Sequence, residues 1–232
     1  MVAWRTARAV LVGAGPFVVA SLALAQMPPS LEELQRYTGL HRAAARGEAA
    51  EIARLLAQGA DPNTRDGNGR TPLHVAVFGS HADAARALVR GGAQPNALDA
   101  QRYDIVTIAA VKDDLKMVRL ALALGTSPRN VTSPYDGTAL IAAAHLGHDA
   151  VVRELIKAGA PLNHVNNLGW TAVIEAVILG NGGGRHISTL RALVEAGANV
   201  NITDRQGVSP LAHARTRGFT VMVSILEKAG GR

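Results

Sequence analysis

Eight histidines are the residues of this sequence best suited to metal binding or acid–base chemistry. His145 and His148 are three residues apart and share one end of a predicted helix. No Asp, Glu or Cys joins them at ligand spacing, whereas a zinc site needs three or four protein ligands. His164, His186 and His213 are single residues that we expect to be solvated. The histidines therefore predict no metal site.

The sequence also lacks the short motifs of common enzyme classes. It contains no phosphate-binding glycine loop, no nucleophile elbow and no paired His/Glu helix motif. It has no cysteine, so a disulfide framework is excluded and packing alone must hold the fold. We therefore predict no catalytic residue, no cofactor and no enzymatic activity.

A fixed spacing of glycines organises the chain. Six glycines that close helix-like segments are separated by 33, 33, 34, 38 and 33 residues, namely Gly59, Gly92, Gly125, Gly159, Gly197 and Gly230. Self-similarity at such a period indicates a solenoid, in which each unit contacts only its neighbours. A stacked array is more often a binding surface than a catalytic cleft.

One copy, residues 67–96, shows the elements of a unit. Thr71 can cap a helix, and Pro72 suits its first turn because a missing N–H costs nothing there. A second helix spans roughly Ala82 to Val89. Gly92 ends it, as a residue free to take a left-handed conformation does. Each unit is therefore predicted to contain two helices and a turn.

These copies resemble the ankyrin repeat, whose units begin T-P-L-H-x-A and close G-A-x-x-N. The start is matched from Thr71 to His74 and the close from Gly59 to Asn63. The third copy is degenerate, but Asp104 stands in place of the capping Thr. The resemblance implies an all-α ankyrin-repeat solenoid of helix-loop-helix repeats with projecting β-turn or hairpin loops. It also implies that His41 and His74 tie adjacent loops together by hydrogen bonds.

The resemblance covers residues 36–232 and predicts six repeats. Their approximate bounds are 36–66, 67–99, 100–132, 133–166, 167–204 and 205–232. A preceding segment, residues 26–35, contains a capping-box pattern at Ser30 that predicts a short helix from Leu31 to Arg36 over the first repeat. Glu227 and Lys228 give the last repeat the polar outer face of a terminal unit.

The fifth repeat is longer by five residues, and the extra residues fall at Gly182 to His186. We interpret them as a flexible loop insertion, because loops accept extra length at little cost. The alternative is a mobile element that contacts a partner.

The first 26 residues have a different composition from the rest. Arg5 and Arg8 precede an uncharged apolar run from Ala9 to Leu22, which ends in a small-x-small site at Ala23 to Ala25. We predict a cleaved signal peptide over residues 1–25 and a location in the bacterial periplasm. The alternative is an uncleaved inner-membrane anchor, although the apolar run is short for a membrane span.

The formal charge of +6 is dispersed along the chain. Nucleic-acid binding usually needs a concentrated basic face, so we predict no nucleic-acid partner. Four arginines repeat at one position of the second helices: Arg86, Arg119, Arg153 and Arg191. We interpret them as a solvated outer ridge, with an anion-binding strip as the alternative. We expect no membrane contact after signal cleavage, and a monomer.

The positions that the repeat pattern leaves free predict the binding surface. In ankyrin repeats the turn tips and the exposed side of the first helix form a concave binding face. Apolar and aromatic residues cluster there in the middle copies, and an exposed stripe of this kind favours a protein partner. We predict as site residues Arg70, Phe78, Tyr103, Val111, Leu146, Trp170, Ile178 and Leu179. The alternative, for Ile178 and Val111 especially, is packing against the neighbouring loop.

The sequence therefore predicts a non-enzymatic scaffold or adaptor that holds a periplasmic protein on its concave face. An immunity or inhibitor protein that blocks a periplasmic enzyme or toxin with the same face is the alternative.

Overall fold

The structure is a computed structural model that describes residues 26–232. These residues form thirteen α-helices and no β-strand beyond an isolated bridge between Thr132 and Gly137. The all-α solenoid expected from the sequence is confirmed. The helices are α1 Leu31–Arg36, α2 Gly39–Arg46, α3 Ala49–Ala57, α4 Pro72–Phe78, α5 Ala82–Arg90, α6 Ile105–Val111, α7 Leu115–Ala123, α8 Ala139–Leu146, α9 Asp149–Lys157, α10 Ala172–Ile178, α11 Gly184–Glu195, α12 Pro210–Thr216 and α13 Thr220–Lys228.

The predicted signal peptide lies outside the described residues. Within residues 26–232, no helix has both the length and the apolar character that crossing a membrane requires.

After α1 the helices form two layers. The first helices of the repeats, α2, α4, α6, α8, α10 and α12, each pack against the next one in the array. Each second helix packs against the first helix of its own repeat. Contacts therefore run from one repeat to the next, as in a solenoid.

A recurring alanine allows the first helices to approach closely. One alanine in each repeat is fully buried at the same position, namely Ala43, Ala76, Ala109, Ala143, Ala176 and Ala214. Larger apolar side chains fill the space around this row, among them Leu73, Ile108 and Leu140. Since protein interiors are close-packed, a larger residue in the alanine row would force its neighbours apart.

The helix termini are held as the sequence predicts. Ser30 and Glu33 form a capping box at α1, with Glu33 N donating to Ser30 Oγ at 3.2 Å and Ser30 N donating to Glu33 Oε2 at 2.7 Å. Asp104 Oδ1 accepts from Thr107 N at 2.9 Å, so the degenerate third repeat keeps its helix start. Gly92 has a φ of 94°, which confirms the left-handed residue after α5.

His41 and His74 connect adjacent loops, as the resemblance implies. His74 Nε2 donates to the carbonyl of Ala97 at 3.1 Å, while its Nδ1 accepts from Thr71 N at 3.1 Å. His41 Nε2 donates to the carbonyl of Arg70 at 3.0 Å. Burial lowers the pKa of His74 to about 4, so this imidazole stays neutral near pH 7.

The insertion at Gly182 to His186 is not a flexible loop over its whole length. Helix α11 begins at Gly184 and has 12 residues, against 9 in α9. Arg185 Nη2 donates to Asp113 Oδ2 in the third repeat at 2.5 Å, and His186 Nε2 donates to the carbonyl of His145 in the fourth at 3.0 Å. Gly182 and Gly183 precede this helix, so the prediction of a loop is wrong only for residues 184–186, which extend a helix that contacts two preceding repeats.

Candidate partner-binding site

Three of the eight predicted site residues are buried. Arg70 and Tyr103 are each 1% exposed, and Ile178 is 2% exposed. Side chains with so little exposed surface offer no contact area to a partner in this conformation, so the exposure expected of them is wrong. The other five are partly exposed: Phe78, Val111, Leu146, Trp170 and Leu179.

Arg70 is buried because it joins the N-terminal helix to the second repeat. Its guanidinium pairs with Glu33 at 2.5 Å and with Asp66 at 2.7 Å, and Nη1 donates to the carbonyl of Met27 at 3.3 Å. The Tyr37 hydroxyl also donates to Asp66 Oδ2, at 2.6 Å. Burial alone would raise the pKa of Asp66, but the hydrogen bonds from Tyr37 and Arg70 hold it below its usual value.

Tyr103 and Ile178 belong to the interior of the array. The Tyr103 hydroxyl has no hydrogen-bond partner among the described residues, and burial raises the pKa of this phenol to about 12. Ile178 is the last residue of α10, which packs against α8 and α12. Its burial agrees with the alternative that it packs within the array.

Two of the predicted residues, Trp170 and Leu179, line a cleft between repeats four and five. Tyr135 and Ile141 of the fourth repeat and Glu175 of the fifth line the same cleft. The volume open to water inside it is about 10 Å³, which is close to the space that one water molecule needs. The cleft is therefore narrow, unlike the pockets of several hundred Å³ that enclose small-molecule substrates.

A buried carboxylate forms part of the cleft wall. Glu175 on α10 is 2% exposed; its Oε1 accepts from Asn166 Nδ2 at 3.0 Å and its Oε2 accepts from His145 Nδ1 at 2.9 Å. Asn166 Oδ1 in turn accepts from the backbone N–H of Trp170 at 2.9 Å. These hydrogen bonds join α8, α10 and the turn that carries Trp170. Satisfied buried networks rigidify their surroundings, so this one holds the turn against both helices.

The sequence interpretation missed Glu175 and Asn166, although a signal for them exists. Glu175 occupies a first-helix position that is apolar in the three preceding repeats, where Val75, Ile108 and Ala142 stand. A charged residue there must find a buried partner, since an isolated buried charge is costly. The partner, Asn166, lies nine residues earlier, in the turn that precedes α10.

Helix α12 and the turn that precedes it have the same arrangement with donor and acceptor exchanged. Asp204 Oδ2 accepts from His213 Nε2 at 2.7 Å, again across nine residues. Burial alone would raise the pKa of Asp204, but hydrogen bonds from Val208 N and His213 hold it below its usual value. A polar residue nine positions after an Asn or Asp in a turn therefore indicates a side-chain hydrogen bond between that turn and the first helix that follows it.

The expectation that three single histidines are solvated is wrong. His213 pairs with Asp204, His186 donates to a backbone carbonyl, and His164 Nε2 donates to the carbonyl of Asp136 at 2.6 Å. Each is partly buried, and a buried ring nitrogen needs such a partner. Within residues 26–232, no group of three or more His, Asp or Glu residues could hold a metal ion.

Four partly exposed apolar residues lie at the ends of the first helices of four successive repeats. Phe78, Val111 and Leu146 end α4, α6 and α8, and Leu179 follows α10 directly. Because these helices pack side by side, we call the four residues the concave strip. Lys112 lies next to it, and its Nζ is held by the carbonyl of Phe78 and by Ser80 Oγ. Burial lowers the pKa of Lys112.

The family profile for ankyrin repeats in three copies matches residues 9–99, 40–130 and 106–204. The chain belongs to the ankyrin repeat family. The ankyrin repeat protein YahD of Escherichia coli (strain K12) is 32% identical over 189 residues, which are 81% of this chain and 94% of that relative.

Solved structures share the ankyrin fold. An ankyrin repeat domain from Acinetobacter baumannii AYE (ABAYE2397) is 42% identical with a TM-score of 0.79, covering 83% of this chain and 98% of that one. A chain in the structure of the Bdellovibrio bacteriovorus predatory endopeptidase Bd0816 with immunity protein Bd3460 is 20% identical with a TM-score of 0.69, covering 83% of this chain and 98% of that one. At 20% identity the likeness shows the fold alone.

Carboxylates of the ankyrin array balance the charge of three arginines on its outer ridge. Arg119 pairs with Glu154 of the next repeat at 2.8 Å, and Arg153 pairs with Glu195 at 3.3 Å. Arg86 pairs within its own helix, with Asp83 at 3.3 Å. These pairs favour the solvated ridge over an anion-binding strip, because their charge is already balanced by neighbouring carboxylates.

Proposed function

We propose that this ankyrin repeat protein is a non-enzymatic scaffold in the bacterial periplasm that holds a protein partner on its concave face. Ankyrin repeat proteins are generally scaffolds for protein interactions. The observation that carries the site assignment is the concave strip, where four apolar residues remain partly exposed in four successive repeats and one of them, Leu179, lines the same cleft as Trp170. A contiguous apolar surface rimmed by polar residues is typical of a protein-binding site.

Paired photo-crosslinking tests the site. In one variant a photo-reactive residue replaces Leu179 in the strip. In the control variant it replaces Arg191, an exposed residue on the outer ridge formed by the second helices. We expect one dominant crosslinked protein from the Leu179 position and none of it from the Arg191 position. Equal yields from both positions would remove the assignment.

Truncation of the strip tests whether the captured protein binds there. We expect Phe78→Ala combined with Leu146→Ala to weaken its binding at least about tenfold, since apolar residues at an interface centre carry much of the binding energy. The far-ultraviolet circular dichroism of the variant should match that of the unaltered chain. Unchanged affinity with unchanged helicity would contradict the proposal.

The periplasmic location is supported by the composition of residues 1–25. Cell fractionation combined with N-terminal sequencing tests it, and we expect a mature chain that starts at Gln26 in the periplasmic fraction. An intact Met1 in the membrane fraction would instead support the inner-membrane anchor.

The immunity or inhibitor role is the second candidate for the same face. The Bdellovibrio complex supports it only through a shared fold. Assay of the captured protein separates the two roles: an inhibitor abolishes the activity of its partner, whereas a scaffold leaves that activity in place.

A further inference from the structure

The chain contains the tripeptide Gly-Asn-Gly twice, in different surroundings. One copy, centred on Asn68, lies in the turn before α4, and the other, centred on Asn181, lies between α10 and α11. Both asparagines are exposed, and no other asparagine of the chain precedes a glycine. The local sequence is the same at both sites, so any difference in their chemical reactivity must come from the fold.

The reaction open to an Asn-Gly pair is deamidation. The backbone nitrogen of the glycine attacks Cγ of the asparagine, and no Cβ on the glycine obstructs the approach. A bond from this nitrogen to Cγ forms, the Cγ–Nδ2 bond breaks, and Nδ2 leaves as ammonia with the proton that the glycine nitrogen loses. Water then opens the resulting succinimide to aspartate or isoaspartate. Hydrogen bonds that hold the peptide group between the two residues oppose the attack, because they must break first.

Hydrogen bonds hold the peptide group between Asn68 and Gly69 on both sides. The Gly69 N–H donates to the carbonyl of Asp66 at 3.0 Å, and the carbonyl of Asn68 accepts from Ala100 N at 3.0 Å. The side chain of Asn68 is held as well, since its Nδ2 donates to Glu33 Oε1 on α1 at 2.5 Å. Attack by the Gly69 nitrogen would require several of these bonds to break together.

The peptide group between Asn181 and Gly182 is not held in this way. Among residues 26–232, neither the N–H of Gly182 nor the backbone carbonyl of Asn181 has a hydrogen-bond partner. The side chain of Asn181 makes one hydrogen bond, in which Oδ1 accepts from Gly183 N at 2.9 Å. This bond bends the side chain back over the peptide group of Gly182, toward the nitrogen that attacks.

We infer that Asn181 is a deamidation site of the folded protein, and that the bonds to Asp66 and Glu33 protect Asn68. The inference does not rest on the proposed scaffold function, because the reaction consumes only water. Its product carries a new negative charge two residues after Leu179 of the concave strip and near the N terminus of α11. Negative charge is favourable at a helix N terminus, so the fold tolerates an aspartate there.

Incubation of the full-length protein in mildly alkaline buffer, followed by tryptic digestion and mass spectrometry, tests the inference. Trypsin cleaves after lysine and arginine, so Asn68 falls in the peptide 66–70 and Asn181 in the peptide 158–185. In the folded protein we expect conversion of Asn181 to be at least about tenfold faster than that of Asn68, whose turn must first open locally. In concentrated urea the two rates should agree within about twofold, because little structure remains to separate identical tripeptides.

This comparison is made within one unaltered chain, so it remains decisive if variants fold poorly. Equal rates at the two sites of the folded protein, or a faster rate at Asn68, overturn the inference. It is also overturned if Asn181 stays unconverted in the folded protein for a time that converts it in urea. Isoelectric focusing adds a second readout: Asn181→Gln should remove the acidic form that accumulates, and Asn68→Gln should leave it. The reverse pattern contradicts the inference.

A variant pair on α1 tests the protection of Asn68. Glu33→Ala removes the acceptor of Asn68 Nδ2 and should raise the conversion rate of Asn68 in the folded protein at least about fivefold. Glu32→Ala is the control, since Glu32 pairs with Arg36 on the same helix, and it should leave that rate unchanged. An unchanged Asn68 rate in a folded Glu33→Ala variant contradicts the protection by α1.

Discussion

Two buried charged residues of this array have opposite surroundings. Arg70, near the N terminus, is enclosed by Glu33, Asp66 and the carbonyl of Met27, so its donors face partners within the chain. Glu175, in the fifth repeat, has one partner on each oxygen and lies in the wall of a cleft. The sequence interpretation predicted Arg70 as a site residue and missed Glu175.

The comparison shows that burial of a charge does not by itself indicate a binding role. The charges around Arg70 satisfy one another and hold α1 against the second repeat, which is a structural task. Glu175 has two hydrogen-bond partners and lies in the wall of a cleft that has room for about one water molecule, so water can replace part of what its loss removes. Loss of the Arg70 network should therefore lower the free energy of unfolding more than loss of the Glu175 network.

The largest expected effect is that of Arg70→Ala. It leaves the Glu33 and Asp66 carboxylates without their cation, and removal of one partner from a buried ion pair costs about 3–5 kcal/mol. Urea denaturation followed by circular dichroism measures this loss. Arg36→Ala is the control. Arg36 pairs with Glu32 on α1, the helix that also carries Glu33, but this pair is exposed and should contribute less than about 1 kcal/mol. Equal losses of unfolding free energy in both variants would show that the buried Arg70 pairs stabilise the fold no more than an exposed pair does.

The next effect concerns a buried group that belongs to neither network, the neutral His74. Its pKa is lowered from 6.5 to about 4 by burial, a difference worth about 3 kcal/mol. Above pH 6.5 both states are neutral and no penalty exists; between about pH 6.5 and pH 4 only the unfolded chain takes up the proton, so stability falls as pH falls.

Comparison with His74→Gln isolates this effect. The difference in unfolding free energy between the unaltered chain and the variant should shrink by about 3 kcal/mol from pH 7 to pH 4. The buried carboxyls Asp99 and Asp104, whose pKa values burial raises, are common to both chains and cancel. A difference that is constant with pH would show that His74 has the same pKa in the folded and the unfolded chain.

A smaller effect is expected for Glu175→Ala. It leaves Asn166 Nδ2 and His145 Nδ1 without their acceptor, at about 1–3 kcal/mol. The loss should be below that of Arg70→Ala, because water can enter the cleft. It should also shift the Trp170 fluorescence, since the turn loses its tie to α10. A loss as large as that of Arg70→Ala would show that the hydrogen bonds of Glu175 stabilise the fold as strongly as the ion pairs of Arg70 do.

The smallest effect is that of Arg119→Ala on the outer ridge. Arg119 is 58% exposed, and exposed ion pairs contribute about 0–1 kcal/mol that salt reduces further. Denaturation at low and high ionic strength measures it. A loss of unfolding free energy above about 2 kcal/mol that persists at high salt would show that the outer ridge stabilises the array, and that Arg119 is not simply a solvated side chain.

Much of the fold could be predicted from the sequence. The period, the capping residues Ser30 and Asp104, and the left-handed Gly92 are all local features, and the structure confirms them. The site was predicted less well. Arg70, Tyr103 and Ile178 occupy positions that the pattern leaves free, yet each is buried, and Glu175 was overlooked.

The sequence by itself determined the repeat architecture, because each unit encodes its own turn and helices within about 33 residues. Only the tertiary structure decided which equivalent positions stay exposed. Phe78 and Ile178 occupy the same position of their helices, yet one is partly exposed and the other is buried. The physical reason is that exposure depends on side chains brought together from neighbouring repeats, such as His145 and Glu175, which are 30 residues apart in the chain.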